Sequence, residues 1–197
     1  WRVHANTPAR GMIQIFNRSH YEDILVTRVH KWCDDKLARK RMKAINDFER
    51  LLTEHNQTHI LKFYLHISPE EQHERLTERM KDPTKMWKYN EKDFEEAKLW
   101  DIYMQMYEDC FNECNDVPWT IVPADQNWYK EYLVAKLLVE KLDALHLESQ
   151  AKLNELLESE IQLNEDQAER LQKAREEWQN AWAKLREVLM VLERLEI

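Results

Sequence analysis

Of the 197 residues only one is glycine, Gly11. Glycine lets backbone N–H groups approach a phosphate closely, and a Walker A loop or a dinucleotide-binding loop needs several at fixed spacing. Neither loop can be built from this chain. The remaining composition, 43% hydrophobic and 34% charged, suits one soluble α/β domain with a short appendage. No apolar run approaches the roughly 18 residues of a membrane span, so no membrane partner is expected. The net charge of −8 argues against a dedicated nucleic-acid binder but leaves room for a local basic pocket. Three cysteines, Cys33, Cys110 and Cys114, are too few for a disulfide framework and point to a reducing compartment, the cytoplasm. Cys110 and Cys114 stand four apart with no further Cys or His nearby to complete a metal set, so two buried thiols are expected. His55 and His59 read as turn residues.

Three segments have the near-continuous apolar character of strands buried in a parallel sheet: residues 12–16, 60–67 and 119–123. Helical patterns separate and follow them at about 34–55, 91–115 and 127–145. The alternation predicts an α/β fold, a parallel sheet with helices on both faces. Ligands in such sheets bind beyond the carboxyl ends of the strands. The polar clusters there are Asn17 to Asp23, Ser68 to Glu71, and Pro123-Ala124-Asp125, and they are expected to meet on one rim.

Ser68-Pro69-Glu70-Glu71 is a strong helix start, with Ser as N-cap, Pro at the first position and Glu closing a capping box. The helix that follows carries Arg75 and Arg79 one turn apart, and beyond it lie Lys81, Lys85 and Lys88 interleaved with Trp87 and Tyr89. Guanidiniums so spaced, with ammonium groups behind them, suit a string of phosphate oxygens. The same spacing also lets Glu71, Glu74 and Glu78 pair with the arginines along a solvated helix. Spacing alone leaves both readings open.

The stretch IFNRSHYED at 15–23 resembles the second nucleotide-site motif of the family-2 polyphosphate kinases. The likeness continues through Arg28-Val29-His30, AINDFE at 44–49, LKFYLHIS at 61–68, EEQHERLTERMKDPTKMWK at 70–88 and PWTIVPADQNWY at 118–129. It covers residues 1 to about 145. The resemblance implies a thymidylate-kinase-like P-loop fold. It also implies a Mg²⁺-dependent phosphotransferase acting between inorganic polyphosphate and a nucleoside mono- or diphosphate. By the same analogy Asn17 and Arg18 take the Walker B-like position as catalytic residues. The segment at about 69–92 becomes a mobile lid, with Arg75, Arg79, Lys81, Lys85 and Lys88 contacting polyphosphate. Pro123, Ala124 and Asp125 lie near the nucleotide.

In the family a Walker A loop, its lysine and the carboxylates that hold Mg²⁺ precede these motifs. The chain begins at Trp1, inside what resembles the family's WRxH stretch, so it is expected to be inactive alone: a fragment, a cleaved product or a degenerate relative. The competing reading is a non-catalytic helical interaction protein built on a degenerate half of the fold. Two parts are expected, residues 1–146 with the family likeness and a helical extension at 147–197. The extension has 12 acidic against 7 basic residues. Asn164 and Gln167 read as a capping box between two helices. Leu171, Ala174, Trp178, Ala181, Leu185, Val188, Leu192 and Leu195 form a seam three and four apart, facing Leu153, Leu157 and Ile161 or a second subunit of a homo-oligomer.

Overall fold

The computed structural model describes residues 2–158 and 165–194. They form two compact units, Trp1–Ile121 and Val122–Ile197. The regular elements are α1 (Val26–Val29), α2 (Asp35–Arg50), β1 (Lys62–His66), α3 (Pro69–Lys81), α4 (Lys92–Ala97), α5 (Trp100–Glu113), β2 (Trp119–Pro123), α6 (Asn127–Glu158) and α7 (Glu165–Arg194). The strands pair as a parallel two-stranded sheet, and the fold is the expected mixture of α and β.

The start of α2 and both ends of α3 have local causes. Asp34 caps α2 by accepting from the Leu37 amide at 2.7 Å. The helix then buries Ala38, Met42, Ile45 and Glu49 along one stripe. Ser68 caps α3 by accepting from the Glu71 amide at 3.1 Å, with Pro69 at the first helical position. The Glu71 carboxylate also accepts from Arg75 Nε at 2.6 Å. Pro83 ends α3 by forcing Asp82 into extended backbone, ψ 112°. The Asp82 carboxylate then holds the turn through the Thr84 amide and hydroxyl at 2.8 and 2.7 Å.

Two expectations are corrected. Residues 12–16 are not a strand; they have no regular structure, with Met12, Ile13 and Ile15 exposed by 66–79%. An apolar run becomes a strand only when a ladder partner takes up its N–H and C=O groups, and none of the described residues does so. The single helix expected over 91–115 is broken at Lys98 and Leu99 into α4 and α5. No Gly or Pro marks this break. Across the break the carboxylate of Glu96 on α4 accepts from the hydroxyl of Tyr103 on α5.

The core of the first unit gathers Tyr21, Ile24, Leu25, Met42, Ile45, Cys110 and Cys114. Inside it lies an ion pair that the apolar reading of the strand at 60–67 missed. Lys62 Nζ, at the first position of β1, donates to Glu49 Oε2 at 2.9 Å, to the Tyr21 hydroxyl at 2.7 Å and to the Cys114 carbonyl at 2.9 Å. Tyr21 in turn donates to Glu49 Oε1 at 2.6 Å, and Trp119 Nε1 donates to the same Cys114 carbonyl at 3.0 Å. The Lys62 and Glu49 side chains are 5% and 2% exposed, so both charges are out of water. Burial raises the Glu49 carboxyl, but the neighbouring His20, Tyr21 and Lys62 outweigh it and hold the group below its ordinary value. The expected buried thiols are present: Cys110 and Cys114 are fully buried, and burial pushes them up to about 12 and about 11.

In the second unit α6 is longer than the sequence pattern suggests, running unbroken to Glu158, and it contacts α7. His146 on α6 stacks against Trp178 and Trp182 on α7, with centroids 4.4 and 5.1 Å away and planes within 14°. Of the expected seam, Ala174 is exposed and Trp178 is 41% exposed. Its positions at Leu171, Ala181, Leu185, Val188, Leu192 and Leu195, the partners Leu153, Leu157 and Ile161, and the Asn164–Gln167 capping box lie outside the described residues and side chains. Among the described residues, no helix is long and apolar enough to cross a membrane.

Replacing Glu49 with Ala strands the Lys62 ammonium in the core. The expected loss is about 3–5 kcal/mol, measured by urea unfolding, far above that of an exposed pair. A loss under about 1 kcal/mol contradicts a dry ion pair. The Glu49 contribution has a definite sign in pH because its folded value is depressed. It is fully present above the ordinary carboxyl value of 4.5 and disappears as pH falls through the lower folded value, so Glu49→Gln flattens the acid limb of the stability curve. The thiols give an independent check: iodoacetamide at pH 8 should leave Cys110 and Cys114 unmodified in the native protein and alkylate both after unfolding. Native alkylation at the rate of a free thiol contradicts their burial.

Candidate functional site

With a single glycine in the chain, left-handed backbone positions fall on other residues as well. Among the described residues Arg18, Lys31 and Gln57 have φ of 89°, 59° and 55°, beside Gly11 at 78°. A non-glycine residue held there costs of the order of 1–3 kcal/mol unless its surroundings determine it, and such strain concentrates at functional turns. Arg18 is the residue at issue. Its side chain is 79% exposed and lies 3.4 Å from Glu22. Asn17 beside it is also exposed. The turn is fastened on its C-terminal side, where Ser19 accepts from the Tyr21 amide, His20 Nε2 lies 3.5 Å from Glu49, and Tyr21 enters the buried network. The chain thus presents an open, charged turn from a rigid root.

The second feature is a cavity of about 440 Å³ beside the carboxyl end of β1, lined by residues of β1, α3, α4 and α5 together with Ile67. Arg75 and Arg79 enter it from α3, and Tyr64, Trp100, Tyr103 and Tyr107 supply aromatic walls. Burial pushes the Tyr64 phenol up to about 12, and burial with the Glu96 hydrogen bond raises Tyr103, so both act as neutral walls and donors near pH 7. Facing the arginines are Asp93 and Glu96 of α4. Arg79 Nη1 donates to Asp93 Oδ2 at 3.0 Å, and Arg75 Nε donates to Glu71 Oε1 at 2.6 Å. His30 Nε2 lies 2.9 Å from Glu96 Oε1, tying α4 back to the turn after α1.

Of the sequence-predicted residues, then, Arg75 and Arg79 share one cavity. Lys81, Lys85 and Lys88 lie beyond it: Lys81 is exposed, Lys85 pairs with Glu78 at 2.6 Å, and Lys88 sits 4.9 Å from the centroid of the Trp87 ring. Asn17 and Arg18 do not line the cavity. Pro123, Ala124 and Asp125 belong to the second unit, where Pro123 and Asp125 are exposed and Ala124 is 1% exposed, with no side chain to offer a ligand. Arg75 pairs with Glu71 along the helix, Arg79 pairs with Asp93 of α4, and both arginines also line the cavity.

Sequence reasoning missed Glu49, Lys62, Asp93 and Glu96. Glu49 carried a signal, a carboxylate at the fourth position of an otherwise apolar stripe of α2. Asp93 carried none, because its partner is 14 residues away across a turn. Among the described residues, no three His, Cys, Asp or Glu side chains converge to hold a metal ion.

Comparison with known proteins gives one consistent result. The model of the family described as polyphosphate kinase 2 matches residues 1–150. The AMP/ADP-polyphosphate phosphotransferase of Meiothermus ruber is 45% identical over 150 residues, which are 75% of this chain and 56% of that protein. The ADP-polyphosphate phosphotransferase of Rhodopseudomonas palustris is 36% identical over 181 residues, 83% of this chain and 62% of that protein. The crystal structure of polyphosphate kinase 2 from Arthrobacter aurescens TC1 superposes with a TM-score of 0.71 at 44% identity, covering 74% of this chain and 52% of that one. The chain thus spans between half and two thirds of the length of these relatives.

Proposed function

Because the chain belongs to the polyphosphate kinase 2 family, we propose that the protein carrying it transfers a phosphoryl group between inorganic polyphosphate and a nucleoside mono- or diphosphate. The observation that carries this reading is the pair of arginines one turn apart on α3, opening into an aromatic-walled cavity beside the carboxyl end of β1. Guanidiniums bind phosphate oxygens in forked, charge-assisted hydrogen bonds, and two of them one turn apart suit neighbouring phosphates of a chain.

Phosphoryl transfer asks little covalent chemistry of a protein. The bond from phosphorus to the leaving phosphate oxygen breaks as one to the acceptor phosphate oxygen forms, and the protein supplies position and positive charge. In this proposal Arg75 and Arg79 hold the polyphosphate, with Lys81, Lys85 and Lys88 guiding its outer part. Arg18, with Asn17 beside it, places a guanidinium at the transferring phosphoryl. Its left-handed backbone and rooted turn suit a donor that must not wander. Pro123, Ala124 and Asp125 bound the nucleotide. Magnesium belongs to the proposal through the family resemblance alone, and when bound it would neutralise phosphate charge; no step above is routed through it. The proposal extends to a cytoplasmic homo-oligomer, supported by the reducing character of three free thiols and by the exposed indole of Trp178 on α7.

Two measurements on the intact natural protein check the assignments. Arg18→Ala should reduce kcat about a hundredfold, the loss of ~3 kcal/mol for a donor aimed at developing charge, whereas Lys81→Ala should cost far less. Equal losses remove Arg18 from the reacting centre. Arg75→Gln with Arg79→Gln should raise KM for polyphosphate and flatten its dependence on salt, while melting changes little because both pairs are partly exposed. An unchanged KM and salt slope would reduce these arginines to helix salt bridges.

A further inference from the structure

The cavity's two guanidiniums are matched by two carboxylates, Asp93 and Glu96, one turn apart on α4. The two acids have different partners. Glu96 accepts from the Tyr103 hydroxyl and lies 2.9 Å from His30 Nε2, so it fastens α4 to α5 and to the turn after α1. Asp93 reaches across to α3 and accepts from Arg79 at 3.0 Å. Arg75 has a carboxylate from its own helix, the ordinary spacing of four, whereas Arg79 takes one from another element. The Arg79 and Asp93 side chains are 35% and 36% exposed, so solvent and an incoming anion reach both. Separating them strands no buried charge, unlike separating Lys62 from Glu49.

We propose that Asp93 is a built-in competitor of the polyanion for Arg79: it holds the guanidinium when no phosphate is bound, and a phosphate oxygen displaces it on binding. Asp93 thereby sets polyphosphate affinity from within the site, a role that rests on the polyphosphate reading of the cavity given above. Three features support the exchange. Asp93 holds Arg79 through one Nη1–Oδ2 bond, and a phosphate oxygen can take the place of that carboxylate oxygen. Glu96 keeps α4 in place through His30 and Tyr103 after Asp93 lets go. Asp93 also adds a negative charge facing any bound phosphate, so the carboxylate opposes the polyanion by repulsion as well as by occupancy.

The proposal makes a counter-intuitive demand: removing a charged residue from the site should tighten binding. In the intact natural protein, Asp93→Asn keeps the side-chain shape and removes the charge. Its Kd for inorganic polyphosphate of one defined length should fall about two- to five-fold, the range set by releasing a partly exposed ion pair. The affinity should also fall more steeply with salt than that of wild type. Asp93→Glu, which keeps the charge, should remain near wild type. In an Arg79→Gln background the Asn substitution should lose most of its effect, because the competed group is gone. Unchanged or weaker binding by Asp93→Asn, or its failure to fold, would assign Asp93 to holding α4 against α3 and overturn the proposal. A wild-type protein that binds no polyphosphate fails differently, by overturning the functional reading on which this one rests.

Discussion

One ammonium group organises the first unit. Lys62 Nζ is met by a carboxylate from α2, a phenol from the turn after Arg18, and the carbonyl that ends α5, and it lies 4.8 Å from the centroid of the Trp119 ring at the start of β2. Five elements, spread from residue 21 to residue 119, are therefore fixed to one point. The net energy of such a pair is small, because removing two charges from water cancels most of their attraction. Its effect lies in the asymmetry: with all partners present the desolvation cost is offset, and with any one absent it is not. The arrangement thus penalises every packing in which β1, α2 or the Tyr21 turn slips, whereas apolar contacts would tolerate small shifts.

That anchoring bears directly on the site. Tyr21 and Arg18 are three residues apart, one buried at 4% exposure and the other projecting outward in left-handed backbone. A turn without glycine keeps such a conformation only when its ends are held, and the Tyr21–Glu49–Lys62 network holds one of them. The same scarcity of glycine that excludes a glycine-rich phosphate loop from this chain leaves side-chain cations as the basis of the proposed phosphate contacts. Arg18, Arg75 and Arg79 are consistent with that restriction.

How much of this was legible in the sequence divides by distance along the chain. The start of α3 was legible because Ser68 and Pro69 act on their own neighbours. The strands at 62–66 and 119–123 and the buried pair Cys110 and Cys114 followed from apolar pattern. The strand expected at 12–16 failed for a reason the pattern cannot contain: an extended apolar run needs a partner. The break between α4 and α5 has no local marker and reflects contacts of Glu96 with Tyr103 and His30. At the site, the spacing of Arg75 and Arg79 was visible, and so was their position after a strand. The carboxylate opposite Arg79 was not, since only the fold brings Asp93 to it. A lysine inside an apolar strand was visible as a residue, but its meaning depended on Glu49, thirteen residues earlier and on another element.

Cations already engaged by carboxylates are not thereby disqualified from binding phosphate. A free arginine loses roughly 1.5–2 kcal/mol of side-chain freedom when it is fixed on a ligand. Arg79, held by Asp93, has already lost much of that freedom on folding, and so has Arg75, held by Glu71. An arriving anion that replaces the carboxylate inherits the ordered guanidinium and need not order it again. Against this stands the ion pair that must be given up, which for a partly exposed pair is worth at most about 1 kcal/mol. The two effects oppose one another, so the affinity given up to the paired carboxylate is held to a small factor, to which the repulsion of its charge adds, while the pairing fixes where the guanidinium points. For a reaction governed by position and charge, orientation gained at so small a cost favours paired arginines over free ones, and exposed pairs over buried ones, because only an exposed pair can be exchanged.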